Sequence, residues 1–222
     1  MCLYFLAIAL AGTFVADAQE QETPPQTVSA LIDASPVVTI SRSPADQSVV
    51  AVYSEREPQW SGNLAVYHRT GDTIDWPFTF PKSYEEHRGH YVVRFRWITL
   101  RQSEHPVLEV VESTHMGNGS LRLFEIEGRK LRLLLDTVVR GRFRNPPAAF
   151  GVREHAEAYF VGPHLNVEYQ SRSDQTADSI LLTGSVRIED MAGKESPPRG
   201  FAQTCAWDDA RRVFIAQPAT SP

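Results

Sequence analysis

Three groups of residues in this chain have types and spacing that chemistry can use. The first is Glu85-Glu86-His87-Arg88-Gly89-His90, with two imidazoles three positions apart beside two carboxylates. Such a set holds a transition metal when a third ligand joins it. Arg88 stands between the ligands and the surroundings read as loop, so a solvated polar turn is the better reading and no metal is assigned. The second group is Arg140-Gly141-Arg142-Phe143-Arg144, three guanidiniums and a stacking aromatic, suited to contact with an anion. It ends a basic stretch that starts at Arg122 and also holds Arg129, Lys130 and Arg132, opposed only by Glu125, Glu127 and Asp136. A solvated strand face explains it without any ligand. An acidic polysaccharide or a carboxylate-bearing partner is the functional alternative. The third group crowds Trp60, Trp76, Phe78, Phe80 and Tyr84 among prolines. Exposed aromatics on a β scaffold bind sugars or peptides, and the alternative is a hydrophobic cluster beneath a long loop. Trp60, Trp76, Arg140, Arg142 and Arg144 are the candidate binding residues.

Several catalytic signatures are missing. The chain has no G-x-S-x-G, P-loop, H-E-x-x-H, C-x-x-C or G-x-G-x-x-G pattern. No catalytic residue is assigned. A glycosidase carboxylate pair stays open, because it is set by distance in space and not by sequence spacing.

The elements that must position these residues are strands. Val37–Ile40, Val49–Tyr53 and Leu64–His68 are short, rich in Val and Tyr, and set apart by turn residues. Tyr91–Leu100 alternates, with Val93, Phe95 and Trp97 on one face and Arg94 and Arg96 on the other. Val107–Thr114, Leu121–Ile126 and Leu131–Val139 follow as an antiparallel meander, the last two joined by Glu127-Gly128-Arg129-Lys130. Leu131, Leu133, Leu135 and Val139 share one face by the same period. Leu165–Tyr169, Ile180–Ile188, Phe201–Trp207 and Val213–Ala216 complete about ten strands. Arg153–Ala158 is the one short helix expected, and residues 69–89 are turn-rich. The fold class is all-β, with antiparallel meanders forming a sandwich, a barrel or a partial propeller-like stack and very little helix.

Composition narrows the setting. The net charge is -5, and of 22 basic residues only Lys82, Lys130 and Lys194 are lysine. An acidic chain is a poor partner for nucleic acid. The arginine excess fits an anion-binding surface or simply a GC-rich genome. Cys2–Ala16 is an uncharged apolar run followed by Ala16-Asp17-Ala18, the pattern of a cleaved export signal. The expected organisation is a signal peptide over 1–18, a polar tail over 19–35, one β domain over 36–217 and a short tail over 218–222. Cleavage leaves no membrane span and a single thiol, Cys205, expected in the core. Asn118-Gly119-Ser120 matches a glycosylation sequon, and Asn-Gly is equally a tight turn.

From about residue 107 to 214 the chain resembles blades of FG-GAP or VCBS-type β-propeller proteins. Leu121–Asp136 is similar to their blade hairpin, L-x-L-F-x-L-x-G-x-x-L. Gln170–Leu182 sits where they place a D-x-N-x-D-G-x-x-D calcium loop, and Ala206–Asp208 with Arg212–Phe214 resembles the closing strand pair. The resemblance implies a meander architecture and makes calcium the one cofactor to consider, with Asp174 and Asp178 as its weak candidate ligands. Gln170, Arg172 and Gln175 depart from the loop pattern, and an arginine at a ligand position repels a cation. The expected protein is secreted or periplasmic, a non-enzymatic binding or interaction module of the cell envelope. Its partner is an envelope protein or a polysaccharide, and no cofactor is assigned. The alternative is a secreted hydrolase that acts on polysaccharide through clustered carboxylates.

Overall fold

The structure, a computed structural model, describes residues 26–27, 38–56, 61–71, 73–87, 91–114, 117–144, 157–171, 173–174, 177–189 and 192–218. The export-signal reading, Trp60, Arg88 and His90 lie outside those residues. Strands β1 (Gln26–Thr27), β2 (Val38–Arg42), β3 (Val49–Arg56), β4 (Ser61–Thr70) and β5 (Thr73–Pro77) form one sheet in the order β1-β5-β4-β3-β2. Helix α1 (Lys82–His87) follows it. The middle sheet is an uninterrupted meander of β6 (Tyr91–Ile98), β7 (Val107–Ser113), β8 (Gly119–Glu127) and β9 (Lys130–Arg140). The C-terminal sheet is a second meander of β10 (Arg142–Arg144), β11 (Glu157–Gln170), β12 (Ser179–Glu189), β13 (Arg199–Asp208) and β14 (Val213–Ala216). Neighbouring strands pair antiparallel in all three sheets. The chain is all-β, as its alternation predicts.

The middle sheet is covered on both faces. Leu108, Val110 and Phe124 pack with Val49, Ala51, Leu64 and Val66 of the N-terminal sheet. Val107, Val111, Leu121 and Leu123 pack with Phe160, Ile180, Leu182 and Phe201 of the C-terminal sheet. Every residue of β7 is therefore buried. Burial of each such aliphatic side chain stabilises the stack by about 1.5–3 kcal/mol. Cys205 belongs to the second cluster and is fully buried, as expected.

Two bulges overturn the facing read from strict alternation. Register shifts between Val92 and Arg94, so that Val92 packs inward while Val93 is 46% exposed. A second shift, between Leu123 and Phe124 of β8, gives β9 one extra residue near Leu134. Leu131 and Leu133 then join the core toward the N-terminal sheet, and Leu135 and Val139 the core toward the C-terminal one. One inserted residue exchanges the faces of all that follow. The expected single face of four residues is thus divided between two cores.

The helix also lies elsewhere than expected. Ala158 is the second residue of β11 and is buried there, and 151–156 fall outside the described residues. The helix is instead Lys82–His87, within the stretch read as turns. Pro81 presets the first turn, its carbonyl accepting from Tyr84 N at 2.9 Å and Glu85 N at 3.1 Å. Phe80 and Tyr84, four residues apart, stand on one side of that turn with ring centroids 4.8 Å apart. Both rings meet Phe124 of β8 edge-on.

Where the middle sheet hands over to the C-terminal one, Gly141 has φ +89, and a Cβ there would lie 2.7 Å from the Asn118 Cα. Only glycine passes this crossing. Asn118 itself closes the β7–β8 turn, its carbonyl accepting from Thr114 N at 2.7 Å.

Candidate functional site

Among the described residues four carboxylates are buried: Glu109, Glu112, Glu125 and Asp178. The first two interrupt the apolar run of β7, and Glu125 interrupts that of β8. A buried charge is costly unless it is paired and hydrogen-bonded. Each of the four has arginine against it.

Glu112 faces the N-terminal sheet. Its Oε1 accepts from Tyr84 Oη at 2.6 Å, and Arg122 donates to its Oε2. The Arg122 side chain is only 7% exposed, and its guanidinium also lies 5.3 Å from the Tyr84 ring centroid. Glu125 faces the C-terminal sheet, where Arg132 and the Ser103 hydroxyl donate to it and Arg212 Nη2 stands 3.6 Å away. Burial pushes the Glu125 carboxyl up, but Ser103, Arg132 and Arg212 outweigh it and hold the group below its ordinary value. Asp178 accepts from the Arg101 backbone N at 2.9 Å and from the Ser171 hydroxyl, with Arg101 Nε 3.6 Å away.

Glu109 differs in what surrounds its partners. Arg96 grips it with two bonds, Nε to Oε1 at 3.0 Å and Nη2 to Oε2 at 3.1 Å. Arg94 Nη2 lies 3.0 Å from Oε1, and Tyr169 Oη of β11 donates to Oε2 at 2.5 Å. Burial and the Glu109 charge push the Tyr169 phenol well above its ordinary value, so it keeps its proton and donates. The carboxylate is fully buried, yet the side chains of Arg94 and Arg96 are 51% and 49% exposed.

Those two arginines open into a cleft of about 330 Å³ between β6 and β11. Val111, Val139, Leu165 and Val167 also line it, the first three almost wholly buried, together with the exposed Val93 and Asn166. A carboxylate offers about four lone-pair positions, and four contacts already reach Glu109. Each guanidinium carries five N–H donors, and Glu109 engages two of those on Arg96 and one on Arg94. The cleft therefore presents two fixed cations over one saturated anion.

The residues singled out in the sequence fall on separate sheets. Trp76 is on β5, where His68 lies flat against it at 4.9 Å and the Arg129 guanidinium carbon sits 4.8 Å from its centroid. Phe78, Phe80 and Tyr84 are buried, so the aromatic group is chiefly core and not a surface platform. Arg140 ends β9, while Arg142 and Arg144 begin the C-terminal sheet opposite Tyr159 and Glu157. The Arg140–Arg144 segment is thus a sheet-to-sheet crossing and not a projecting loop. Asp174 lies exposed in the β11–β12 turn, and Asp178, buried beside Arg101, spends its oxygens on protein donors. Among the described residues no three His, Cys, Asp or Glu side chains form a group fit to hold a metal ion.

Sequence reasoning missed Arg94, Arg96 and Glu109. The available signal was a carboxylate inside the apolar run Val107–Ser113, beside a strand with two arginines on one face. The chain matches no protein-family model, no curated protein and no solved structure.

Proposed function

We propose that this chain is an exported, non-enzymatic binding module whose ligand enters the cleft between β6 and β11. The observation that carries the reading is the Glu109 site, a buried carboxylate holding two half-exposed guanidiniums in an open cleft. Preorganised donors of this kind bind an anion with little ordering cost. The export signal read over residues 1–18 sets the compartment as secreted or periplasmic, and the partner as a component met in the envelope. Among the described residues no helix is long and apolar enough to cross a membrane. Consecutive meanders packed face to face are also what the resemblance to FG-GAP or VCBS-type blades calls for.

Hydrolysis of polysaccharide finds less support. It needs one carboxyl held protonated near neutral pH beside a second that is ionised. The buried carboxylates here sit against arginine and lie on separate partners, and Glu125 is held below its ordinary value by Ser103, Arg132 and Arg212. Purified protein tested by thermal shift against anionic and neutral ligands should respond to a cleft ligand. Asn166→Trp, an exposed rim substitution, should abolish that response without lowering the melting temperature of the unliganded protein. Turnover of glycoside, ester or phosphate substrates that disappears in Glu109→Gln would overturn the reading.

A further inference from the structure

We infer, resting on the binding-module reading, that the cleft takes a small hydroxylated monocarboxylate, the class that uronates represent, with its carboxylate on Arg94 and Arg96. Two irregularities build the opening. On β6 the register shifts between Val92 and Arg94, and Val93 is lifted outward. On β11 Val161 pairs with Ser185 and Asn166 with Thr183, so β11 spans that gap with three more residues than β12. Gly162 turns into this bulge at φ +103. Leu165 closes it against Gly184, where a Cβ would lie 2.5 Å from Leu165 Cδ2. Bulges re-aim side chains in this way beside functional sites, and here the two bulged strands border one cleft.

Charge and donor geometry set the ligand class. Glu109 takes the Nε–Nη2 edge of Arg96 and leaves the Nη1–Nη2 edge, a second two-pronged face of the kind that matches a carboxylate. The Arg96 guanidinium carbon stands 5.9 Å from the Tyr169 ring centroid, so the ring and Glu109 together fix that face. Glu109 meets Arg94 through Nη2 and leaves its other N–H donors to a ligand. Two guanidiniums over one carboxylate leave a single positive charge. Among the described residues lining the cleft, Arg94 and Arg96 are the charged ones. One carboxylate neutralises that charge, whereas a phosphate monoester brings further negative charge with no cation to meet it. Asn166 is exposed in the lining, and its amide both donates and accepts, which suits a hydroxyl near the carboxylate. Val111, Val139 and Leu165 are buried core, so the rest of the ligand stays toward water.

Glucuronate, glucose and glucose 6-phosphate share one ring and differ in charge, and titration calorimetry of the full chain with each tests the assignment. Glucuronate should bind, with glucose and glucose 6-phosphate each weaker by roughly tenfold. Arg94→Gln removes the spare positive charge while Arg96 keeps both bonds to Glu109, and should weaken glucuronate roughly tenfold. Glu109→Gln adds a positive charge instead and should move the preference toward glucose 6-phosphate. Val93→Asp, at an exposed position, places a competing carboxylate beside the arginines and should weaken glucuronate while the melting temperature holds. Glucose 6-phosphate bound as tightly as glucuronate by the unsubstituted chain would overturn the single charge and leave the module reading standing. Equal binding of glucose and glucuronate, unaffected by Arg94→Gln, would overturn the carboxylate and again leave the module. Absence of binding by all three overturns the ligand class, and a silent thermal-shift panel besides overturns the module with it.

Discussion

Glu109 and Glu112 sit three residues apart on β7, both buried, yet they serve opposite faces of the middle sheet. Each pairs with arginine and accepts a tyrosine hydroxyl from the neighbouring layer, Tyr169 for Glu109 and Tyr84 for Glu112. The difference lies in the arginines. Arg122 on Glu112 is 7% exposed, whereas Arg94 and Arg96 on Glu109 are half exposed. Arg122 lies on β8 within the sheet, and Arg94 and Arg96 lie on β6 at its edge. The same chemical unit is a sealed fastener inside the stack and a half-exposed pair of cations at its edge. Position within the sheet decides which.

The largest expected effect breaks the sealed side. Arg122→Ala leaves Glu112 as an uncompensated buried charge and should cost about 3–5 kcal/mol in urea unfolding. A triple replacement, Glu112→Met with Arg122→Leu and Tyr84→Phe, should recover most of that loss, since apolar groups of similar volume remove the desolvation penalty and leave no buried hydroxyl without its acceptor. No recovery would show that the fastener does more than neutralise charge.

Acid should come next, through Glu125. Its folded-state pKa is depressed, so its contribution is fully present above the ordinary value of 4.5 and is lost as pH falls below it toward the folded value. Glu125→Gln should flatten stability against pH on the acid side of about 4.5, read from urea midpoints at several pH values. An unchanged acid limb would remove Glu125 from the group of charged fasteners.

The open side should respond least in stability. Arg94→Ala leaves Glu109 gripped by Arg96 and exposes nothing that water cannot solvate. The expected loss is under about 1 kcal/mol. A loss as large as that of Arg122→Ala would erase the distinction between the two sites. Smaller still, Cys205 should resist alkylation at pH 8 in the folded chain and react on unfolding, because burial pushes its thiol up to about 11.

The arginine skew takes on a physical meaning in this light. Arg94, Arg96, Arg101, Arg122, Arg132 and Arg212 are the cations on the four buried carboxylates. A guanidinium grips both oxygens of a carboxylate and is more weakly hydrated than an ammonium, so it suits a half-buried pair where lysine does not. In the sequence Arg94 and Arg96 look like the solvated side of an alternating strand. Arg122 reads as one charge in a basic stretch, and the structure turns it inward against Tyr84.

The strands, their antiparallel order and the buried thiol were legible because they depend on local period and on short turns. The bulges were not, because one unpaired residue has no compositional mark of its own. Helix α1 escaped for a similar reason. Its six residues have too little length to show a period, and Tyr84 is held by Phe80, by Phe124 and by Glu112 across the layer boundary.

Alternation of apolar and polar residues, by itself, determined an all-β chain of meanders, since a two-residue period leaves no other element. It could not tell a polar face in water from a polar face against another sheet. Only the tertiary structure decided that the middle sheet is covered on both sides. That burial forces Glu109 and Glu112 to find cations, and the edge position of β6 leaves one pair of those cations facing outward. Burial is a property of the layers together, and no single strand carries it.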